Sequence, residues 1–236
     1  MKLEILFPVL NEHLRLEKGI DNCMKYMQEH IHIPFTLTIL DNGSDDDTPD
    51  IGRMLEERYE QVRYVRIEER GVGIAFKTGV ENSDADIVGY MDIDLSTDLK
   101  YISKMLWLFK NNPRLEYVNG SRFSSDSDTQ GRKWYRQITS AGLVLMLKVL
   151  FKMKATDALC GFTFLRTNVA KKLVQECSDD HGWFYTVEFL IRAERAGVCI
   201  YDCPVEWVED YDTTVNVPKT IKNYIVRMYD LKKAGL

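Results

Sequence analysis

A chain of 236 residues with a formal charge of -5 is long enough to bury one full core, and its acidic balance excludes a nucleic-acid backbone as the main partner, because phosphate recognition leaves a basic footprint. The five cysteines, Cys23, Cys160, Cys177, Cys199 and Cys203, are odd in number and contain no CxxC pair, which excludes a disulfide framework and a zinc site and favours a reducing compartment. The longest apolar run, residues 141–151, interrupted by Lys148, is far shorter than the roughly 20 residues a spanning helix needs.

The opening residues, MKLEILFPVLNE, carry a charge inside the apolar run and no small-residue cleavage pattern, so they read as a strand and not as a signal peptide. The expected location is cytoplasmic. Short β-rich runs then alternate with stretches of helical spacing. LEILFPV, FTLTILD, VRYVRI and ADIVGYMD are the strands, and LRLEKGIDNCMKYMQEH, TPDIGRMLEERYE and GVGIAFKTGVEN are the helices. That alternation predicts an α/β fold with a mainly parallel central sheet, whose ligands bind outside the carboxyl ends of the strands. After LEYVNGSRF the alternation stops, and a polar loop over 124–130 leads into a helix from Trp134 to about Lys152. We expect one domain over 1–236, with a boundary near residue 120 between a first half, 1–120, and a second, 121–236.

Four polar clusters follow predicted strands. The first is PVLNE, Pro8 to Glu12. In the second, LDNGSDDDT, Asp41 at a strand end suits a base or ribose hydroxyl, while Asn42 and Gly43 suit a turn, and Asp47 or Thr48 suits the cap of a helix with Pro49 in its first position. The third, RGVGIAFKTG, has Gly71, Gly73 and Gly79 with Lys77 one turn in. It is neither a Walker loop nor a dinucleotide fingerprint, and its small residues serve close helix packing or close approach of a nucleotide. In the fourth, YMDIDLSTD, Asp92 and Asp94 on an extended segment point to one side and offer hard oxygen ligands to Mg²⁺ or Mn²⁺ shared with a substrate's phosphates. Thr97 or Asp98 would cap the helix that begins LKYISKMLWLF.

In this order and spacing, PVLNE, DNGSDDDT, GVGIAFKTG and MDIDLSTDL resemble family-2 glycosyltransferases of the GT-A fold, and most of all their polyprenyl-phosphate (dolichyl-phosphate) hexosyltransferase branch. The later segments NGSRF, RQITS, DALCGFTF, WFYTVEFL and YDCPVEW follow the same pattern. The resemblance implies inverting, metal-dependent transfer of a hexose from a UDP- or GDP-hexose donor. It assigns Pro8, Asn11, Glu12 and Asp41 to donor binding, to which the third cluster adds Lys77 as a candidate, and Asp92 and Asp94 to the metal and diphosphate, with Asp94 counted as catalytic. Arg122, Arg136 and Ser140 fall where the family grips the acceptor phosphate. Three positions depart from the pattern: Asn42 replaces a usual Asp, which bears on base preference, while Leu159 for Gln and Thr186 for Asp bear on the acceptor. No membrane-spanning tail like that of many relatives is expected.

Two acceptors remain open at this level. A lipid phosphate brings its own anionic oxygen, whereas a glycan hydroxyl needs a base, for which Glu188 is the candidate; Glu188 is equally suited to pair with Arg192 one turn on. A nucleotide-sugar-binding module without turnover is a third reading. Arg136 and Ser140 share a helix face, and Arg122 either joins them on a phosphate or pairs with Asp126 or Asp128. The helix over 141–151 is expected to border the acceptor site and touch the cytoplasmic face of a membrane peripherally, or else to be core or dimer interface.

Overall fold

The structure is a computed structural model that describes residues 1–178, 181–209 and 217–236. The chain starts with β1 (Leu3–Val9), α1 (Leu16–His30), β2 (Phe35–Asp41), α2 (Thr48–Arg58), β3 (Val62–Arg66), α3 (Val72–Asn82), β4 (Ile87–Met91), α4 (Lys100–Asn111) and β5 (Tyr117–Ser121). It continues with β6 (Asp128–Gln130), α5 (Trp134–Phe151), β7 (Phe162–Arg166), α6 (Thr167–Glu176), α7 (Phe184–Arg195), β8 (Ile200–Pro204), β9 (Glu206–Val208) and α8 (Val217–Lys233).

Seven strands form one sheet in the order β3-β2-β1-β4-β7-β5-β8. All neighbours are parallel except β7, which runs antiparallel to both β4 and β5. The alternation of side chains along each strand divides the interior into two cores. Leu3, Ile5, Phe7 and Val9 of β1 with Ile87 and Met91 of β4 face the cluster that contains α1 and α4. Leu6, Val88 and Tyr90 face the cluster that contains α3, α5, α6 and α7. Period-two alternation puts i and i+2 on one face of the sheet. The buried Glu4 in β1 is satisfied by Thr38 Oγ1, which donates at 2.6 Å, and by Arg63 at 3.4 Å.

The chain proceeds outward from β1 to β2 and β3, then returns to the other side of β1 to form β4. The order therefore reverses between β1 and β4, and a crevice opens outside their carboxyl ends. The expected boundary near residue 120 falls inside β5, and β7 and β8 from beyond it join the same sheet. The polar stretch expected as a loop over 124–130 contains β6, which pairs with β9 in a second, two-stranded sheet. That ribbon, tied to the segment between β4 and α4 by a bridge between Thr97 and Trp207, carries side chains back over the crevice.

Two capping expectations need correction. Neither Asp47 nor Thr48 caps α2: the Thr48 hydroxyl accepts the Glu12 N–H at 2.8 Å, and the Thr48 N–H goes to Asp46 Oδ1 at 2.9 Å. The β1 loop competes for the hydroxyl and wins it. At α4, Asp98 does accept a first-turn N–H, that of Lys100, at 2.9 Å, while Thr97 is buried in the bridge.

Candidate active site

A cleft of about 280 Å³ opens at the reversal point. β1 and the loop after it supply Pro8 and Glu12, the turn after β4 supplies Asp92 and Asp94, and the end of β5 supplies Arg122. Arg132, Arg136 and Ser140 come from α5 and the residues before it, and Trp207 and Glu209 from β9 and its end.

The carboxylate pair does not lie on an extended segment, as its spacing suggested. The strand ends at Met91, and a turn closed by the Leu95 N–H on the Asp92 carbonyl at 3.2 Å, with Leu95 at φ +53°, brings both side chains to the cleft. Tyr90 donates to Asp92 Oδ1 at 2.7 Å, and the Ser96 N–H to Asp94 Oδ1 at 2.9 Å. Burial, and then the charge of Asp94, push the Asp92 carboxyl up to about 6. Two carboxylates gathered in a poorly solvated place repel each other, and a divalent cation relieves the cost. The donor set, hard oxygens only, fits Mg²⁺ or Mn²⁺. Among the described residues no group of three or more His, Cys, Asp or Glu is placed to hold a metal, so a cation here would complete its shell with substrate phosphate and water.

Arg122 is buried with a side-chain exposure of 7 %, and pairs with the fully buried Asp157 through Nε at 2.7 Å and Nη2 at 3.1 Å. The Arg122 backbone N–H also donates to Asp157, at 3.1 Å. Its partner is therefore neither Asp126 nor Asp128. Burial alone would raise the Asp157 carboxyl, but the Arg122 charge together with the hydrogen bonds from Arg122 and the Leu159 N–H holds the group below its ordinary value. Arg136 pairs with Glu209. Ser140 Oγ accepts from Arg132 Nη2 at 2.7 Å.

Arg132 went unremarked in the sequence, where only its spacing of four from Arg136 distinguishes it from the exposed Lys133. Its Nε and Nη1 are buried without a hydrogen-bond partner among the described residues. Burial and the nearby Arg122 charge lower its pKa to about 10. Both Arg122 and Arg132 lie over the Trp207 ring, at 5.5 and 5.3 Å from its centroid, a contact that holds guanidinium groups without neutralising them. Arg122 and Arg136 each have a carboxylate partner, whereas Arg132 has none among the described residues. A buried guanidinium so placed suits an anion beside the carboxylate pair.

Four expected residues lie outside the cleft. Asp41 is fully buried and spent on internal partners: the Ser44 N–H at 2.9 Å, Tyr64 Oη at 2.6 Å and Arg66 Nη1 at 3.0 Å. In this arrangement it orders the loop after β2 through these three contacts. Asn11, at φ +57°, ties the β1 and β2 loops together through Ser44 and Asp45. Lys77 lines a separate cavity of about 250 Å³ with Gly73, Glu81 and His181. Glu188 is buried in α7, where it accepts from the Ser178 N–H at 2.9 Å and Arg192 Nε at 2.7 Å, so it is not available as a base in this cleft.

The family model described as glycosyl transferase family 2 matches residues 4–174. The chain belongs to that family. It is 25% identical over 223 residues to the glycosyltransferase AglD of Haloferax volcanii, covering 94% of this chain and 35% of that protein. It is 26% identical over 220 residues to a dolichyl-phosphate beta-glucosyltransferase of Dictyostelium discoideum, covering 88% of this chain and 66% of that one. The chain thus spans about a third of the first relative and just under two thirds of the second. Among solved structures, glucosyl-3-phosphoglycerate synthase from Mycobacterium tuberculosis, in complex with Mn²⁺, uridine diphosphate and phosphoglyceric acid, superposes with a TM-score of 0.74 at 16% identity, over 100% of this chain and 79% of that one. The shared architecture is the α/β fold of GT-A glycosyltransferases.

Proposed function

We propose that this glycosyltransferase moves a hexose, with inversion, from a nucleoside diphosphate sugar to a polyprenyl phosphate. The observation that carries the reading is the placement of Arg132, with two unpaired buried N–H groups, in one cleft with the Asp92 and Asp94 carboxylates. Such a cleft offers a cation-assisted place for the leaving diphosphate and, beside it, an arginine-lined place for a second anion. The names of the Dictyostelium relative and of a Drosophila melanogaster relative, 24% identical over 221 residues, specify dolichyl phosphate as the acceptor and support the same class.

Asp92 and Asp94 would hold Mg²⁺ or Mn²⁺, which when bound supplies positive charge against the negative charge growing on the diphosphate. Pro8 and Glu12 border the donor side. Arg132, Arg136 and Ser140 orient the acceptor phosphate, one of whose oxygens attacks the anomeric carbon as the bond from that carbon to the diphosphate oxygen breaks and the nucleoside diphosphate leaves with the electron pair. A phosphate monoester has a second pKa of about 6, so the attacking oxygen is already anionic near neutral pH and no strong base is required. The withdrawal of Glu188 into α7 agrees with that chemistry.

α5 borders the site on one face through Thr139, Ser140 and Leu143, and packs inward through Val144, Leu147 and Phe151. Trp134, Ile138, Leu145 and Val149 remain 61–74 % exposed at helical spacing. We assign this outer stripe to peripheral contact with a lipid surface, where a polyprenyl chain would reside. No helix among the described residues is long and apolar enough to cross a membrane. Transfer from UDP-glucose and GDP-mannose to a polyprenyl phosphate, run beside the matching polyprenol and a glycan acceptor, tests the reading. Product on the lipid phosphate alone is expected; faster transfer to a hydroxyl acceptor would replace it with a glycan-extending enzyme.

A further inference from the structure

Glu209 stands at the end of β9 inside the cleft, with its side chain 2 % exposed. Its backbone N–H donates to the Gln130 carbonyl at 3.0 Å, which ties it to the β6–β9 ribbon. Its Oε1 takes Arg136, while its Oε2 is buried with no hydrogen-bond partner among the described residues. In the same cleft Arg132 has two buried N–H groups equally unpaired. An unsatisfied buried polar atom costs roughly 1–3 kcal/mol, and here an acceptor oxygen and two donor groups are left over together.

The leftover groups make sense if a larger anion belongs there. A carboxylate has two oxygens and one charge. A phosphate monoester has three free oxygens and close to two charges, enough to hold Arg136 and also to take the N–H groups of Arg132. Charge-assisted pairs of this kind are the strong ones. A neutral alcohol has no charge with which to compete for Arg136.

We propose that Glu209 is an internal stand-in for the acceptor's phosphate: it holds Arg136 before the acceptor binds, and an entering phosphate monoester displaces it and bridges Arg136 to the unpaired groups of Arg132. This rests on the phosphate-acceptor reading and adds a selectivity device to it. Breaking the Arg136–Glu209 pair reduces the apparent affinity for every anion by the same factor, so only a ligand with enough charge and oxygens to replace it binds well.

The test is binding, read by the fluorescence of Trp183 and Trp207, which both line the cleft, with citronellyl phosphate and citronellol as probes. The wild type is expected to prefer the phosphate by at least about tenfold, and Glu209→Gln to tighten it by about fivefold while leaving the alcohol unchanged. Glu209→Asp, which keeps the charge but shortens its reach, should tighten the phosphate by about twofold and serves if the glutamine variant does not fold. In an Arg136→Gln background the gain from Glu209→Gln should vanish, because the pair it releases is already gone. Equal or weaker phosphate binding by both Glu209 variants would overturn the stand-in role and make Glu209 an organiser of Arg136. A wild type that binds citronellol as well as citronellyl phosphate would instead overturn the phosphate-acceptor reading itself, and this inference with it.

Discussion

Gly161 and Asp92 approach so closely that a β-carbon on Gly161 would stand 1.9 Å from Asp92 Oδ2. The contact joins the residue just before β7 to the turn after β4, and the Asp92 N–H also donates to the Gly161 carbonyl at 3.3 Å. Gly161→Ala should therefore push the Asp92 carboxylate out of place. We expect Mn²⁺-dependent activity to fall by at least about tenfold, equivalent to about 1.4 kcal/mol, with circular dichroism unchanged. A fully active alanine variant would mean that the position of Asp92 is not critical.

Asp92→Asn and Asp94→Asn each remove a charged oxygen from the proposed cation site. Turnover should fall by about a hundredfold or more in either variant, about 2.7 kcal/mol, and EDTA should silence the wild type. Calorimetry should show nucleotide-sugar binding that tightens with Mn²⁺ in the wild type and ignores it in the variants. Metal-independent donor affinity in the wild type would place the diphosphate elsewhere.

The arginines separate acceptor from donor. Arg136→Lys keeps charge but loses the planar fork, and should raise the apparent KM for polyprenyl phosphate by roughly tenfold, about 1.4 kcal/mol. Arg132→Gln should do at least as much, on the order of tenfold, since it removes the cation that has no carboxylate partner among the described residues. Steady-state kinetics with each substrate varied in turn will show whether the donor KM stays within about twofold, as expected for contacts confined to the acceptor.

Asp157→Asn leaves the buried Arg122 guanidinium without its counter-charge. Removing one partner of a buried pair costs roughly 3–5 kcal/mol, which urea denaturation can measure. Because the Asp157 carboxyl is held below its ordinary value, its stabilisation is complete above the unfolded value of about 3.9 and is lost only as pH falls through the depressed folded value. The gap between wild type and variant should therefore be the same at pH 8 and pH 5, and should close only in stronger acid.

The outer stripe of α5 is tested by flotation with liposomes containing anionic lipid. Wild-type protein should float in the presence of donor, and Ile138→Ser with Val149→Ser should reduce the floated fraction severalfold, given about 1.5–3 kcal/mol for each large aliphatic side chain buried. Failure of the wild type to float would leave the stripe without a lipid role.

Much of the first half was legible because its information is local. The apolar run LEILFPV reports a strand, which proves buried on both faces, the spacing in GVGIAFKTGVEN reports the buried face of a helix, and a polar cluster after each strand marks the ligand edge of a parallel sheet. The shared face of Arg136 and Ser140 follows from their spacing of four, while the D-x-D spacing marked the carboxylate pair, which a turn and not an extended segment brings to the cleft. Tertiary structure alone decided who meets whom. β7 enters antiparallel between β4 and β5, Arg122 finds Asp157 rather than the nearer Asp126 or Asp128, and Glu209 reaches Arg136 from 73 residues away. Asp41, a plausible ligand by its place in the chain, is drawn into a pair with Arg66, whereas the Glu188–Arg192 pair, one helical turn apart, was already one of the two readings that its spacing allowed. Periodicity describes one element against an unspecified core, whereas the partner of a buried charge depends on strand order and register, which are set by contacts distant in sequence.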